Sequence, residues 1–314
     1  MKNIYFKPVG IIGMMCLLSL SLVLSSCSSS DDEPENTGQN TDIRKLRQLT
    51  IAEVPITRAT LTEQSSVISA EWKENDEATY FNLSSFSNSI IDRGNLKASS
   101  SSPTSSFTGG VVCTQGDQIA LIYPFVSIDE TSSSTRGTFT IDLSGQTGTL
   151  ADIATKYHYV YGVGEVNSVT ETTANAFISS MQPLLAVAKF TFKDGSNAIP
   201  VKKLSIGYAD ATYEYEEMGY PLTGTVNPFK KDNNITTIVP VEDICVTVAT
   251  PSDAPLTIDF GNETSGAVYA ALFPVSNQLF HFTVTNNAGT YTGTATATLK
   301  AGKYYPVNLK LSKQ

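Results

Sequence analysis

The chain has 314 residues and a formal net charge of −9, with 30 Asp and Glu against 21 Lys and Arg. No cluster of Lys or Arg stands out, which excludes nucleic acid as a partner, because phosphate binding needs a basic footprint. Past the N-terminal segments roughly 270 residues remain, more than one small core holds, and this points to two domains.

The chain starts with a short basic region, Lys2 and Lys7, followed by an apolar run from Gly10 to Leu24. That run is shorter than the ~20 apolar residues of a membrane-spanning helix. It closes on Leu24-Ser25-Ser26-Cys27, small residues ahead of a break, as in a signal peptide. A Cys directly after Leu-Ser-Ser is the lipobox arrangement, in which the thiol of Cys27 is acylated and becomes the new N-terminus. Residues 1–26 therefore read as a lipoprotein signal peptide, and 27–45 as a tether. In the tether Asp31, Asp32, Glu33 and Glu35 lie among Ser, Gly, Asn and Gln, a composition that buries too little apolar surface to order itself. An acidic patch just after a lipidated Cys also resembles the surface-export signal of lipoproteins from Gram-negative gut and oral anaerobes. That implies the outer face of the outer membrane.

Beyond the tether the chain reads as all-β. Thr, Ser, Val, Ile, Tyr and Phe dominate, and turn clusters recur at short intervals. The first expected strand is Leu49–Thr57. Trp72, followed by Glu74, Asn75 and Asp76, reads as a core anchor before a turn. Lys97 to Thr108, with its Ser run and Pro103, reads as a long surface loop. Strands follow at Gln118–Phe125, Gly137–Leu143 and Tyr157–Val163, with a helical turn around Leu150–Ala154. The stretch Asn167 to Met181, rich in Ser, Thr and Asn, reads as the interdomain connection. The boundary falls near 180, giving domains at 46–180 and 181–314.

In the second domain strands are expected at Leu184–Phe192, Val201–Gly207, Ile235–Val241, Cys245–Thr250 and Ala267–Val275. The C-terminus is the clearest part. Phe280, Phe282 and Val284 alternate with polar residues, as do Tyr291, Ala295, Ala297 and Leu299. Asn286-Asn287-Ala288-Gly289 joins the two runs with hairpin chemistry, since Asn and Gly tolerate positive φ. After Ala301-Gly302 come Tyr305, Val307, Leu309 and Leu311, again at period two, so each strand has one apolar face for a core.

Little here carries catalysis. The two histidines, His158 and His281, lack metal-site spacing, and no close Cys pair suggests zinc. A Ser-His-Asp triad leaves no sequence signature, but there is no G-x-S-x-G elbow and no phosphate-cradling glycine loop. The reading is a non-enzyme without cofactor or metal. After processing, the thiols left are Cys113 and Cys245. In an oxidising compartment they could pair, but they fall in different expected domains, which favours two buried free thiols. Tyr213, Tyr215 and Tyr220 among Glu214, Glu216 and Glu217 form the most unusual segment. They read either as ligand contacts for sugar rings or Ca²⁺, or as a solvated edge strand whose charges discourage sheet pairing.

One family fits the order of these features: lipobox Cys27, acidic tether, a first strand ending in Thr57-Arg58-Ala59, Trp72-Lys73-Glu74-Asn75-Asp76, and the closing Ala301-Gly302-Lys303-Tyr304-Tyr305-Pro306-Val307-Asn308-Leu309. The chain resembles the fimbrillin family, the lipoprotein subunits of type V pili, over nearly its whole length. It departs from the more usual W-x-x-G-D in having Asn75 where Gly is expected. The resemblance implies two tandem transthyretin-like β-sandwich domains in a surface-exposed outer-membrane lipoprotein that enters a fimbria. It also implies assembly with other pilus subunits by strand exchange. An Arg-specific protease would cut between Arg58 and Ala59, releasing the lipid anchor and the first strand, and the groove would accept a C-terminal strand from another subunit. Thr290–Leu299 and Tyr304–Leu311 both have the required alternation. The alternative for Arg58 is a surface residue in a strand-end turn. Host or bacterial surface ligands are further possible partners, and a surface glycan-binding lipoprotein is the competing function.

Overall fold

Strands make up almost the whole fold, and the computed structural model describes residues 43–55, 60–64, 67–85, 92–127, 138–209, 217–227, 245–251 and 254–314. The first part carries β1 (Lys45–Pro55), β2 (Thr60–Gln64), β3 (Val67–Glu71), β4 (Glu77–Asn82), β5 (Arg93–Ala98) and β6 (Thr104–Cys113). It continues through β7 (Gln118–Tyr123), β8 (Phe139–Asp142), β9 (Val160–Val169), β10 (Thr173–Phe177) and β11 (Gln182–Pro183). Between β8 and β9 a short helical turn, α1 (Leu150–Asp152), is capped by the Thr149 hydroxyl and runs into a wide turn over Ile153–Tyr157.

Strands β10-β1-β6-β5-β4-β7-β9 are hydrogen-bonded in that order, and β9 pairs back to β10, so the sheet closes on itself. Every other residue of a strand points the same way, and the inward set is apolar: Leu49 and Ile51, Leu96, Phe107 and Val111, Ile119 and Leu121 are all 0% exposed. Where the interior is crowded, β10 supplies the small Ala174 and Ala176. Trp72 is fully buried in this interior, edge-on to Phe107 and Tyr123 at centroid distances of 4.8 and 5.1 Å. It is the anchor its sequence context suggests. In the turn that follows, Asn75 has φ +68° and so occupies the left-handed region, which Asn tolerates better than most residues.

The second part carries β12 (Ala186–Asp194), β13 (Asn197–Ala198), β14 (Val201–Ala209), β15 (Glu217–Met218), β16 (Thr223–Asn227) and β17 (Cys245–Val248). After them come β18 (Leu256–Thr264), β19 (Val268–Leu272), β20 (Val275–Asn286), β21 (Gly289–Leu299), β22 (Tyr304–Lys310) and β23 (Ser312–Lys313). In one sheet β12 lies between antiparallel β19 and parallel β22. In another β14 lies between β18 and β20, and β20 turns into β21 at the expected Asn286–Gly289 hairpin. There Asn286 Oδ1 accepts the N–H groups of Ala288 and Gly289. Phe190 and Phe282 meet between the two sheets at 5.5 Å. That core does not stop at residue 180. It includes Phe81, Ile122 and Tyr161 from the outer face of the closed sheet, and β8 pairs with β16.

Two expectations are corrected. Lys97 to Thr108 is not a long loop: β5 and β6 pair across it, Lys97 opposite Thr108, and only residues 99–103 turn. Composition misled here, because Ser105 is buried at 2% exposure in phase with Phe107 and Val111. Asn167 to Met181 is not a connection either. It holds the end of β9 and all of β10, whose Ala residues are too small to announce an apolar face. The expected strand Ile235–Val241 lies outside the described residues.

Candidate functional site: the first strand and its groove

The residues singled out in the sequence divide sharply. Cys27, Arg58, Ala59, Tyr213, Tyr215 and Glu216 lie outside the described residues. Tyr220 is described, and it is no exposed ligand contact: its ring is 0% exposed, lies edge-on to Tyr208 at 5.4 Å, and its hydroxyl accepts the Phe273 N–H at 3.1 Å. A residue at the end of a charged run thus serves the core. Cys113 is a buried free thiol on β6, and burial pushes its pKa up to about 11, which leaves it unreactive at neutral pH.

What the structure assembles is the site around β1. The strand begins at Lys45, four residues before the expected Leu49. It pairs antiparallel with β6 from Lys45↔Cys113 to Pro55↔Thr104 and parallel with β10 from Gln48↔Thr173 to Ala52↔Phe177. A bulge between Ile51 and Val54, with Glu53 at φ +48°, re-aims the strand so that Val54 also points inward. Leu49, Ile51 and Val54 are each 0% exposed. Burying three such side chains contributes about 5–9 kcal/mol, comparable with the ~5–15 kcal/mol that holds a whole domain folded. At the far end the Trp72 indole N–H donates to the Val54 carbonyl at 3.2 Å.

The near end is polar and was not foreseen. Arg47 shares the inward phase of Leu49 and Ile51, yet it is 2% exposed. Its guanidinium donates to the carbonyls of Thr170 at 2.8 Å, Ile43 at 3.2 Å and Cys113. Arg44 forks onto Asp117, with contacts of 2.7 to 3.1 Å. The Asp117 side chain is 3% exposed and also accepts from Asn82 Nδ2 at 2.7 Å and the Thr114 N–H at 3.0 Å. Asp92 stands nearby, accepting from the Val112 N–H and the Tyr80 hydroxyl, and burial raises its pKa. Lys45 pairs with Glu171. The signal available in the sequence was a charge in phase with an apolar stripe, at Arg47-x-Leu49-x-Ile51. The partners come from the end of β6 and the turn after it and from the turn between β9 and β10, which no spacing reveals.

Chemically the site is built to hold a strand: two ladders of backbone groups, an apolar middle and a carbonyl-rich end with buried carboxyls. Among the described residues no group of His, Cys, Asp and Glu is arranged to hold a metal ion. No described helix is long and apolar enough to cross a membrane.

The sequence matches no family model and no curated protein. Solved structures do match. A "putative cell adhesion protein" from Bacteroides ovatus ATCC 8483 superposes with a TM-score of 0.54 at 15% identity, covering 86% of this chain and 97% of that one. A fimbrial protein from the same strain aligns at TM-score 0.37 and 11% identity, over 85% of this chain and 49% of that one. The shaft pilin of Lactobacillus rhamnosus GG aligns at TM-score 0.32 and 8% identity, over 86% and 99%. The first of these shares the fold; the other two superpose too loosely to bear on it.

Proposed function

We propose that the protein is a structural or adhesive subunit of a cell-surface pilus, exported as a lipoprotein and assembled by strand exchange at the β1 groove. The observation that supports this reading most is β1 itself. It lies near the start of the described residues and is bonded along both flanks. Its three apolar side chains are wholly buried. A chain that lost this strand would expose two rows of backbone groups and an apolar trough, and an incoming strand would restore both ladders and packing. The name of the structure that shares the fold, a "putative cell adhesion protein", agrees with such a role.

In this reading acylated Cys27 anchors the subunit in the outer membrane through the acidic tether, and cleavage between Arg58 and Ala59 releases anchor and β1 together. The two tandem transthyretin-like sandwiches, divided near residue 180, belong to the same reading, as do the fimbria as destination and other subunits as partners. The direct test is cleavage of the full-length protein with an Arg-specific protease. Mass spectrometry would identify the new N-terminus, and denaturing electrophoresis would show whether detergent-resistant ladders form. Cleavage after Arg58 with ladders is expected, and Arg58→Ala should abolish both. Clean cleavage with no ladder would overturn the strand-exchange reading.

A further inference from the structure

We propose that the groove under β1 selects an incoming strand with a cation two residues ahead of alternating apolar side chains, and that Lys303–Leu309 of a second copy of this chain is that strand. This rests on the strand-exchange reading and adds to it a chemical rule for the partner.

The rule comes from what β1 would leave behind. Arg47 supplies donors to the carbonyls of Cys113 and Thr170, which stay with the groove when β1 departs. Arg44, the bidentate partner of buried Asp117, departs as well. The end of the vacated groove would then hold two undersupplied carbonyls, with the Asp117 and Asp92 carboxyls close by. A wholly apolar strand would refill the middle and leave that end uncompensated, and buried polar groups without partners are costly. A strand bringing positive charge to the place of Arg47 satisfies both parts. A Lys suffices in principle, because its ammonium carries three donors.

Two C-terminal strands alternate in the right way, and the rule separates them. Along β1 the inward series is Arg47, Leu49, Ile51 and then Val54 beyond the bulge. Running in the same direction, the β22 region offers Lys303, Tyr305, Val307 and Leu309. In β21 the positions two residues ahead of Tyr291 and Ala295 are Gly289 and Gly293, so no cation falls in register. Its Ala295 and Ala297 are also too small to fill the space of Leu49 and Ile51. β22 is the less committed strand in its own sheet as well. Among the described residues its ladder is to β12 alone, and Tyr304, Tyr305 and Val307 are half-buried rather than sealed in the core. Pro306 would take the place of Thr50, between β6 and β10, and forgo one ladder bond, a cost that the remaining bonds of both ladders must offset.

The test is assembly of the full-length chain after Arg-specific cleavage, read as the yield of detergent-resistant oligomers. Lys303→Ala is expected to lower that yield at least about tenfold, the scale of a lost hydrogen bond from a charged donor. Lys303→Arg should restore it, and Lys313→Ala should leave it unchanged. Undiminished assembly by Lys303→Ala overturns the proposal. So does loss with Lys313→Ala in place of Lys303→Ala, which would mean that the strand enters in the opposite direction. Cleaved wild-type protein that never oligomerises would instead bring down the strand-exchange reading itself. As a measurement independent of folding in the donor domain, a labelled peptide of residues 302–312 should bind the cleaved chain. Its Lys303→Ala counterpart should bind at least about tenfold more weakly, and equal binding would refute the rule.

Discussion

Arg47 is a buried cation whose guanidinium bonds go to main-chain carbonyls. Its guanidinium replaces the water that the Cys113 and Thr170 carbonyls would otherwise hold. Arg47→Ala in the uncleaved chain is expected to cost about 2–3 kcal/mol in urea unfolding, from hydrogen bonds to a charged donor. Asn75 makes a quieter case. It stands where the resembled motif has Gly, and its φ of +68° shows that the turn still demands the left-handed region. Asn75→Gly should therefore leave stability almost unchanged, whereas Asn75→Val should lower it by about 1–2 kcal/mol in the same assay. Asp92 gives a pH signature. Burial raises its pKa, so the folded chain holds this proton more readily than the unfolded chain does. Its contribution to stability is then present at low pH and fades as pH rises through the raised value. Asp92→Asn should flatten that part of the stability profile above about pH 4, where ordinary carboxyls are already ionised.

At the scale of elements, legibility followed side-chain size. The C-terminal hairpin could be read directly, because Phe280, Phe282 and Val284 are large and alternate without interruption. β10 and the start of β6 were missed because their inward positions are Ala174, Ala176 and Ser105, residues that small cavities require and loops also favour. The start of β1 was placed too late, at Leu49, for the opposite reason: Arg47 looks too charged to face a core until its partners are seen. The same element carries a prediction. Amide exchange along β6 and β10 should be among the slowest in the intact chain, since both strands are locked to β1 within a closed sheet. Removal of residues before Ala59 should raise exchange at the β6 and β10 amides that face β1, with β12 and β14 unaffected. Unchanged protection would mean that another segment already fills the groove.

For the molecule as a whole, the instructive feature is the shared core. Phe81, Ile122 and Tyr161 belong to strands of the closed sheet, yet they lie in the same continuous core as Phe190 and Phe282, while β8 completes a sheet with β16. A boundary drawn from composition near residue 180 says nothing of that common face, because outward apolar residues on a sheet look the same whichever partner covers them. The described residues fall within one compact unit. Calorimetry should accordingly show one cooperative transition for the intact chain, and a fragment starting at Ala186 should unfold at a markedly lower temperature. Two well-separated transitions would contradict the continuity of this core.

A strand clamped along both flanks answers force differently from one held along a single flank. Pulled lengthwise, the occupant of the β1 position must shear two ladders at once, while β22, whose ladder among the described residues is to β12 alone, has one to break. Tension along a chain of such subunits would therefore be borne at its joints by the arrangement most resistant to it. In single-molecule pulling, rupture between subunits should need greater force than detachment of β22 from its own sheet.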